Sequence, residues 1–236
     1  MIQTGIGIYP RPDAARLLDM SPARLRRWVS GYTYWLKNAT DEQSALRARP
    51  PVIQTDIPVI DHFVALSFLE LMELRVVKAL VDAKLSLQHI RQAGRAAAES
   101  FGTTHPFASR RIFTDGKSIV SAMSDQLDAP DVVRWKNGEI DQIVSGKIFE
   151  QFLSEIEFDE ATGLTNLWWP LGKEVPVVLN PRVCFGAPTI RGRALRTSAV
   201  AMMGRLSVEE AADAYEITSD EVEAAVGFED MLAATG

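Results

Sequence analysis

Little in this sequence can hold a metal, a disulfide or a membrane. Cys184 is the one cysteine, which excludes a disulfide framework and a thiolate metal site, and His62, His89 and His105 are too scattered for ligand spacing. No apolar run approaches the ~18 residues that a membrane span requires, and no N-terminal basic stretch leads into a long apolar one. A soluble, unexported chain in a reducing cytoplasm is expected. Gly5 and Gly7 open no helix after a strand, so there is no phosphate-cradling loop. Nothing is spaced around His105 to complete a nucleophile arrangement. The expectation is a protein without catalytic activity, cofactor or metal.

What is present is a core's worth of apolar residues and an uneven charge. With 236 residues and 47% hydrophobic positions the chain can bury one large core or several small ones. The net charge of -6 argues against nucleic acid only if it is spread evenly, because electrostatics act within a Debye length of roughly 10 Å. It is not spread evenly. Between Arg11 and Lys37 the bases Arg11, Arg16, Arg24, Arg26, Arg27 and Lys37 stand against Asp13 and Asp19, a local charge of +4. From Arg205 to the end one base stands against nine acids, a local charge of -8. DNA would meet the front of the molecule.

Hydrophobic spacing sets out the elements. PDAARLLDMSPARLRRWVSG, from Pro12, reads as two short helices on a tight turn, with Ala14, Ala15, Leu17 and Leu18 on one face and Leu25, Trp28 and Val29 on the other. Ser21 caps the second helix, and Pro22 takes a first-turn position where its missing N–H costs nothing. Tyr32, Tyr34 and Trp35 nearly alternate, as in a hairpin wing, within residues 30–60. Phe63, Leu66, Leu69, Leu71, Leu74, Val77 and Leu80 fit one helix, and Ser86 caps another. After His105-Pro106-Phe107, the pairs Asp115-Gly116 and Asn137-Gly138 signal hairpins of a small antiparallel sheet over residues 110–179. Residues 147–158 have the spacing of helix and strand alike and are assigned to strand. Beyond Asn180 come an apolar helix near Ala199, a helix capped by Ser207 with Glu210 three residues on, and a last helix from Thr218 or Ser219.

In a helix-turn-helix the second helix enters the major groove by its N-terminal half. With Leu25, Trp28 and Val29 inward, Arg24, Arg26 and Arg27 point outward and Ser21 lies at the helix start. An arginine can grip guanine O6 and N7 with two hydrogen bonds or fork onto a phosphate. Tyr32, Lys37, Arg47 and Arg49 would add contacts from the wing. The competing reading is a solvated basic face. Arg182, Arg191, Arg193 and Arg196 form a second basic stretch without an acid between Pro176 and Arg205. They are read as a mobile loop that grips an acidic partner, binds phosphate or pairs with the acidic tail. Trp168-Trp169 is read as core of the sheet rather than a partner surface.

DAARLLDMSPARLRRWVSG and SLQHIR resemble MerR-type winged helix-turn-helix domains, although the cysteine cluster and long dimerising coiled coil of metal-sensing members are missing. SFLELMELRVVKAL, HPFASRRIFTDG, IEFD, WWPLG, NPRVCFGAPTIRGRALRT and LSVEEAADAYEITSDEVEAAVGFE extend a resemblance over nearly the whole chain. It is similar to VapB-type antitoxins, partners of VapC-type PIN-domain toxins, whose last domain is a small helical one of formally unknown function. The resemblance implies a PIN-domain ribonuclease as partner, with Arg191, Arg193 and Arg196 as residues that would reach its metal-binding carboxylates.

The expected fold is α+β: an N-terminal winged helix-turn-helix with its helical pair (1–104), a middle antiparallel β-sheet (105–179) and a C-terminal three-helix, helix-turn-helix-like module (180–236). The expected function is operator binding as a homodimeric autorepressor combined with neutralisation of the toxin. The alternatives are a stand-alone regulator with no toxin and a structural interaction module.

Overall fold

The structure, a computed structural model, describes residues 7–35, 46–57, 65–83, 85–113 and 152–235. Lys37, His62, Phe63 and the expected hairpins at Asp115-Gly116 and Asn137-Gly138 lie outside the described residues. The architecture is mixed helix and strand, as expected.

The chain enters through β1 (Tyr9–Pro10) and turns into α1 (Arg11–Leu17), with proline in its first turn and Ala14 and Ala15 buried. The turn to α2 (Pro22–Ser30) closes on Ser21, whose Oγ accepts from the Arg24 amide at 3.3 Å. Leu25, Trp28 and Val29 face the core, each 6% exposed or less. The wing follows as the antiparallel pair β2 (Tyr32–Trp35) and β3 (Leu46–Arg49). The Val52 amide then donates to the Trp28 carbonyl at 2.7 Å, fastening the wing's return to α2.

The next helix starts later than its apolar spacing suggests. Leu66 belongs to β4 (Ala65–Leu66), which pairs with β1, and α3 runs Phe68–Asp82. The reason is a reciprocal capping box: Ser67 Oγ accepts from the Glu70 amide, and the Glu70 carboxylate accepts from the Ser67 amide. Helix α4 (Leu87–Phe101) starts at Ser86, as expected, and ends on Gly102 with φ +65°.

Residues 152–155 are helical and lead directly into β5 (Ile156–Phe158), so the described part of the ambiguous segment is both helix and strand. β6 (Thr165–Trp168), β7 (Val177–Leu179) and β8 (Pro188–Ile190) complete a four-stranded antiparallel sheet in sequence order. β8 lies past residue 179, so the sheet continues into the segment expected to be helical. Trp168 and Trp169 are both 4% exposed, placing the pair in the core. Partly buried Arg75 of α3 pairs with Glu155 and stands over Phe152 and Trp168, at 4.0 and 4.9 Å from the ring centroids, joining helix to sheet. Burial pushes its guanidinium down to about 10.

Three helices end the chain: α5 (Thr197–Gly204), α6 (Val208–Tyr215) and α7 (Ser219–Ala234). Thr218 and Glu221 form a second reciprocal capping box, whereas at α6 the Ser207 hydroxyl accepts from the Glu210 amide. Phe228 and Leu232 of α7 pack with Val177 and Leu17, so the last helix touches the first. The front of the chain is also held at the turn Cys184–Gly186. There the Phe185 carbonyl accepts from the Ile8 amide at 2.9 Å, and the Gly186 carbonyl accepts from the Tyr9 hydroxyl at 2.7 Å.

Candidate nucleic-acid interface

Helix α2 presents Arg26 and Arg27 to solvent, and the Ser21 hydroxyl is occupied as the helix cap. Arg24 is drawn aside. Its guanidinium lies over the Trp28 ring at 4.6 Å from the centroid and 3.7 Å from the Asp82 carboxylate, which Lys78 also reaches at 3.4 Å. The outward arginines of the second helix are therefore Arg26 and Arg27, while Arg24 braces α2 against α3.

The wing has two unlike faces, because antiparallel partners share a side of the pleat. Tyr32 stands opposite Arg49 and Tyr34 opposite Arg47. The two tyrosine rings lie 6.0 Å apart, and the Arg49 guanidinium stands 5.7 Å from the Tyr34 centroid. This side is basic and aromatic, and Arg47 and Arg49 are exposed. The opposite side carries Trp35 and Leu46, 64% and 45% exposed.

Gly31 sets the angle between α2 and wing. Its φ is +69°, and a Cβ there would come 2.4 Å from the Arg49 carbonyl oxygen. Gly31→Ala is expected to cost about 1–3 kcal/mol, from backbone strain and from pushing β3 away. A thermal melt checks the stability, and an anisotropy titration checks for a parallel loss of DNA affinity. A melt indistinguishable from that of the unsubstituted protein would show that the turn is not constrained.

Behind the wing lies a polar cluster that sequence reasoning did not find. Asp56, on the wing's return, accepts from Ser67 Oγ at 3.4 Å, and its amide donates to the Glu70 carboxylate. His105 bridges two carboxylates, with Nδ1 3.1 Å from Glu73 and Nε2 2.8 Å from Asp56. The Phe107 amide donates to the other Glu73 oxygen at 3.2 Å. Glu70, Glu73 and His105 are all buried. Burial, chiefly, raises both glutamates above the ordinary carboxylate range. For His105, burial alone would lower the value, but the Glu73 hydrogen bond, the Glu73 and Asp56 charges and the Asp56 hydrogen bond together raise it. The cluster ties the wing's return to α3 and to the loop after α4. Its one legible signal was the spacing Ser67-x-x-Glu70, with Glu73 a further turn along an otherwise apolar run.

Two arginines of the second basic stretch make contacts within the fold. Arg182 pairs with Asp159 at 3.6 Å, and Arg191 stands over Trp169, 5.2 Å from the centroid. Arg191 and Arg193 lie exposed on the turn after β8, and Arg196 occupies the N-cap position of α5. Among the described residues the acidic helices take Arg205, paired with Asp230 at 2.7 Å, rather than these three arginines. A cleft of about 480 Å³ lies beside the turn, lined by Glu157, Trp169, Asn180, Arg191 and Arg193 among others.

Among the described residues no His/Cys/Asp/Glu group could hold a metal ion, and no helix is long and apolar enough to cross a membrane. Residues 7–93 match a family described as "Putative DNA-binding HTH domain". The chain is 27% identical over 227 residues to the "Putative antitoxin VapB45" of Mycobacterium tuberculosis, covering 92% of this chain and 91% of that protein. The crystal structure of Rv2018 from Mycobacterium tuberculosis has the same fold, with a TM-score of 0.68 at 23% identity, over 95% of this chain and 100% of that one. The front of the chain thus matches a helix-turn-helix domain family, and the chain is similar, along nearly all of its length, to a relative named "Putative antitoxin VapB45".

Proposed function

We propose that the protein is a non-catalytic cytoplasmic antitoxin that represses its own operator as a homodimer and neutralises a PIN-domain ribonuclease. The observation that carries the DNA half is the pair Arg26 and Arg27, exposed on the second helix of the helix-turn-helix beside the basic, aromatic side of the wing. Arg26 and Arg27 are the base or phosphate contacts, Tyr32, Arg47 and Arg49 the contacts from the wing, and Ser21 and Arg24 hold the helix in place. Lys37 extends the same basic segment in sequence.

The toxin half rests on the likeness to an antitoxin and on Arg191, Arg193 and Arg196, which have no carboxylate partner among the described residues. An arginine fork placed among metal-binding carboxylates competes with the metal for their charge. The test is co-expression with the neighbouring open reading frame, pulling down through a tag on one chain and scoring growth with the neighbour alone. Co-purification with rescue of growth is the expected result; a harmless neighbour that does not bind would leave a stand-alone DNA-binding regulator. Arg191→Ala with Arg193→Ala is expected to abolish rescue while leaving DNA binding intact. Undiminished rescue by that double variant would remove the arginine turn from the toxin interface.

A further inference from the structure

Between α2, the wing's return and α4 lies a cleft of about 380 Å³. That is within the range of small-ligand sites, about 300–1,000 Å³. Val29, Val52 and Ile53 form one wall and the Phe107 ring another. Gly94 lets that ring lie on the helix backbone, since a Cβ there would come 2.9 Å from Phe107 Cε2. Along the rim of α4 stand Arg91 and Arg95, four residues apart and so on one side of the helix.

The charges in the cleft are not balanced. Glu73 also lines it, but both of its oxygens are engaged, one by the Phe107 amide and the other by His105. Arg91 spends one N–H on the Pro51 carbonyl at 3.1 Å. Neither Arg91 nor Arg95 has an ion-pair partner among the described residues. Arg49 brings a third like charge to the group, and the Arg91 guanidinium is lowered by burial, and further by Arg49 and Arg95, with Tyr32 opposing. Two guanidiniums with donors unspent among the described residues stand at the rim of a hollow lined by both apolar and polar groups.

We propose that this cleft is a binding site for a small organic anion, whose charged group lies between Arg91 and Arg95 and whose apolar body lies against Val29, Ile53 and Phe107. Nothing in this assignment requires the protein to bind DNA, and it is tested on the protein alone. The site would nonetheless report to the DNA face. Its walls are the last turn of α2 and the segment that fastens the wing to it, so an occupant bears on the angle between them.

The probes are 1-naphthoate and 1-naphthyl phosphate, with 1-naphthylmethanol and inorganic phosphate as the uncharged and the body-less controls, followed by saturation-transfer NMR and fluorescence titration. One or both naphthyl anions should bind saturably, and each control at least about tenfold more weakly. Arg95→Gln, an exposed helix position, removes one fork of the grip, and Ala98→Phe fills the hollow. Each should weaken the anion at least about tenfold while the protein still melts cooperatively. Failure of both anions to saturate, or equal affinity in Arg95→Gln, overturns the proposal. Loss of DNA affinity in Arg95→Gln without any naphthyl-anion binding would assign the arginines to DNA phosphates and overturn it as well.

Discussion

Replacing Arg26 and Arg27 together with alanine is expected to weaken binding to a duplex from upstream of the gene by roughly 2–4 kcal/mol, about thirty- to a thousandfold. The two side chains are exposed on the second helix, and removing them disturbs neither Leu25, Trp28 and Val29 nor the Ser21 cap. The salt dependence separates their roles. If both grip phosphates, the slope of log affinity against log salt becomes shallower by about 2, and affinity falls alike for all sequences. If they read bases, the slope holds while discrimination against scrambled duplexes collapses. Arg24→Ala should lower affinity less, because that guanidinium is engaged with Trp28 and Asp82. Full affinity in the double variant would make the arginines a solvated face.

The second large effect is expected from the cluster behind the wing. Removing the His105 side chain (His105→Ala) leaves the Glu73 carboxylate buried without its cationic partner, a change that costs about 3–5 kcal/mol. At roughly 2–4 °C per kcal/mol for a protein of this size, Tm should fall by roughly 6–20 °C. The pH dependence follows from signs. His105 has a raised value in the folded state, so the stability it contributes is complete below the ordinary histidine value of about 6.5 and is lost as pH rises through the folded value. Glu70 and Glu73, raised chiefly by burial, act in the same direction: the folded protein holds protons that the unfolded chain releases. Tm should therefore decline as pH rises, from above the ordinary carboxylate value for the two glutamates and from about 6.5 for His105, and His105→Gln should flatten the upper part of that decline. A Tm that rises over the same range would contradict the assignment of charge, and an unchanged slope in His105→Gln would show that the imidazole is not its source.

The elements were legible wherever the signal was local. Ser21-Pro22 and Ser86 each mark a helix start by local chemistry, and the last helix starts at the Thr218-Ser219 pair that the sequence offers. The start of α3 was missed because Leu66 continues the apolar spacing backwards, whereas the Ser67–Glu70 box stops the helix one residue after it. What could not be read was anything assembled across the chain. His105 meets Glu73 and Asp56 from 32 and 49 residues away, so no window of sequence holds the three. Arg24 shows the same limit: spacing places it beside Arg26 and Arg27, but Asp82 and Trp28 decide where it points. Arg191 likewise looks free in sequence, and only the fold sets it over Trp169.

The clasp between Tyr9 and Gly186 bears on how this protein can be recombined. Gly186 has φ +84°, and a Cβ there would fall 2.4 Å from the Tyr9 oxygen, while burial holds that phenol above its ordinary value and thus as a hydrogen-bond donor. Tyrosine and glycine, 177 positions apart, are a matched lock and key. A hybrid that takes its front from one homologue and its back from another would fit together if both parents kept this pair, and would otherwise meet with an empty notch or a collision at the threshold of the helix-turn-helix. The front and back of the chain are therefore expected to be inherited as a single unit rather than shuffled as cassettes.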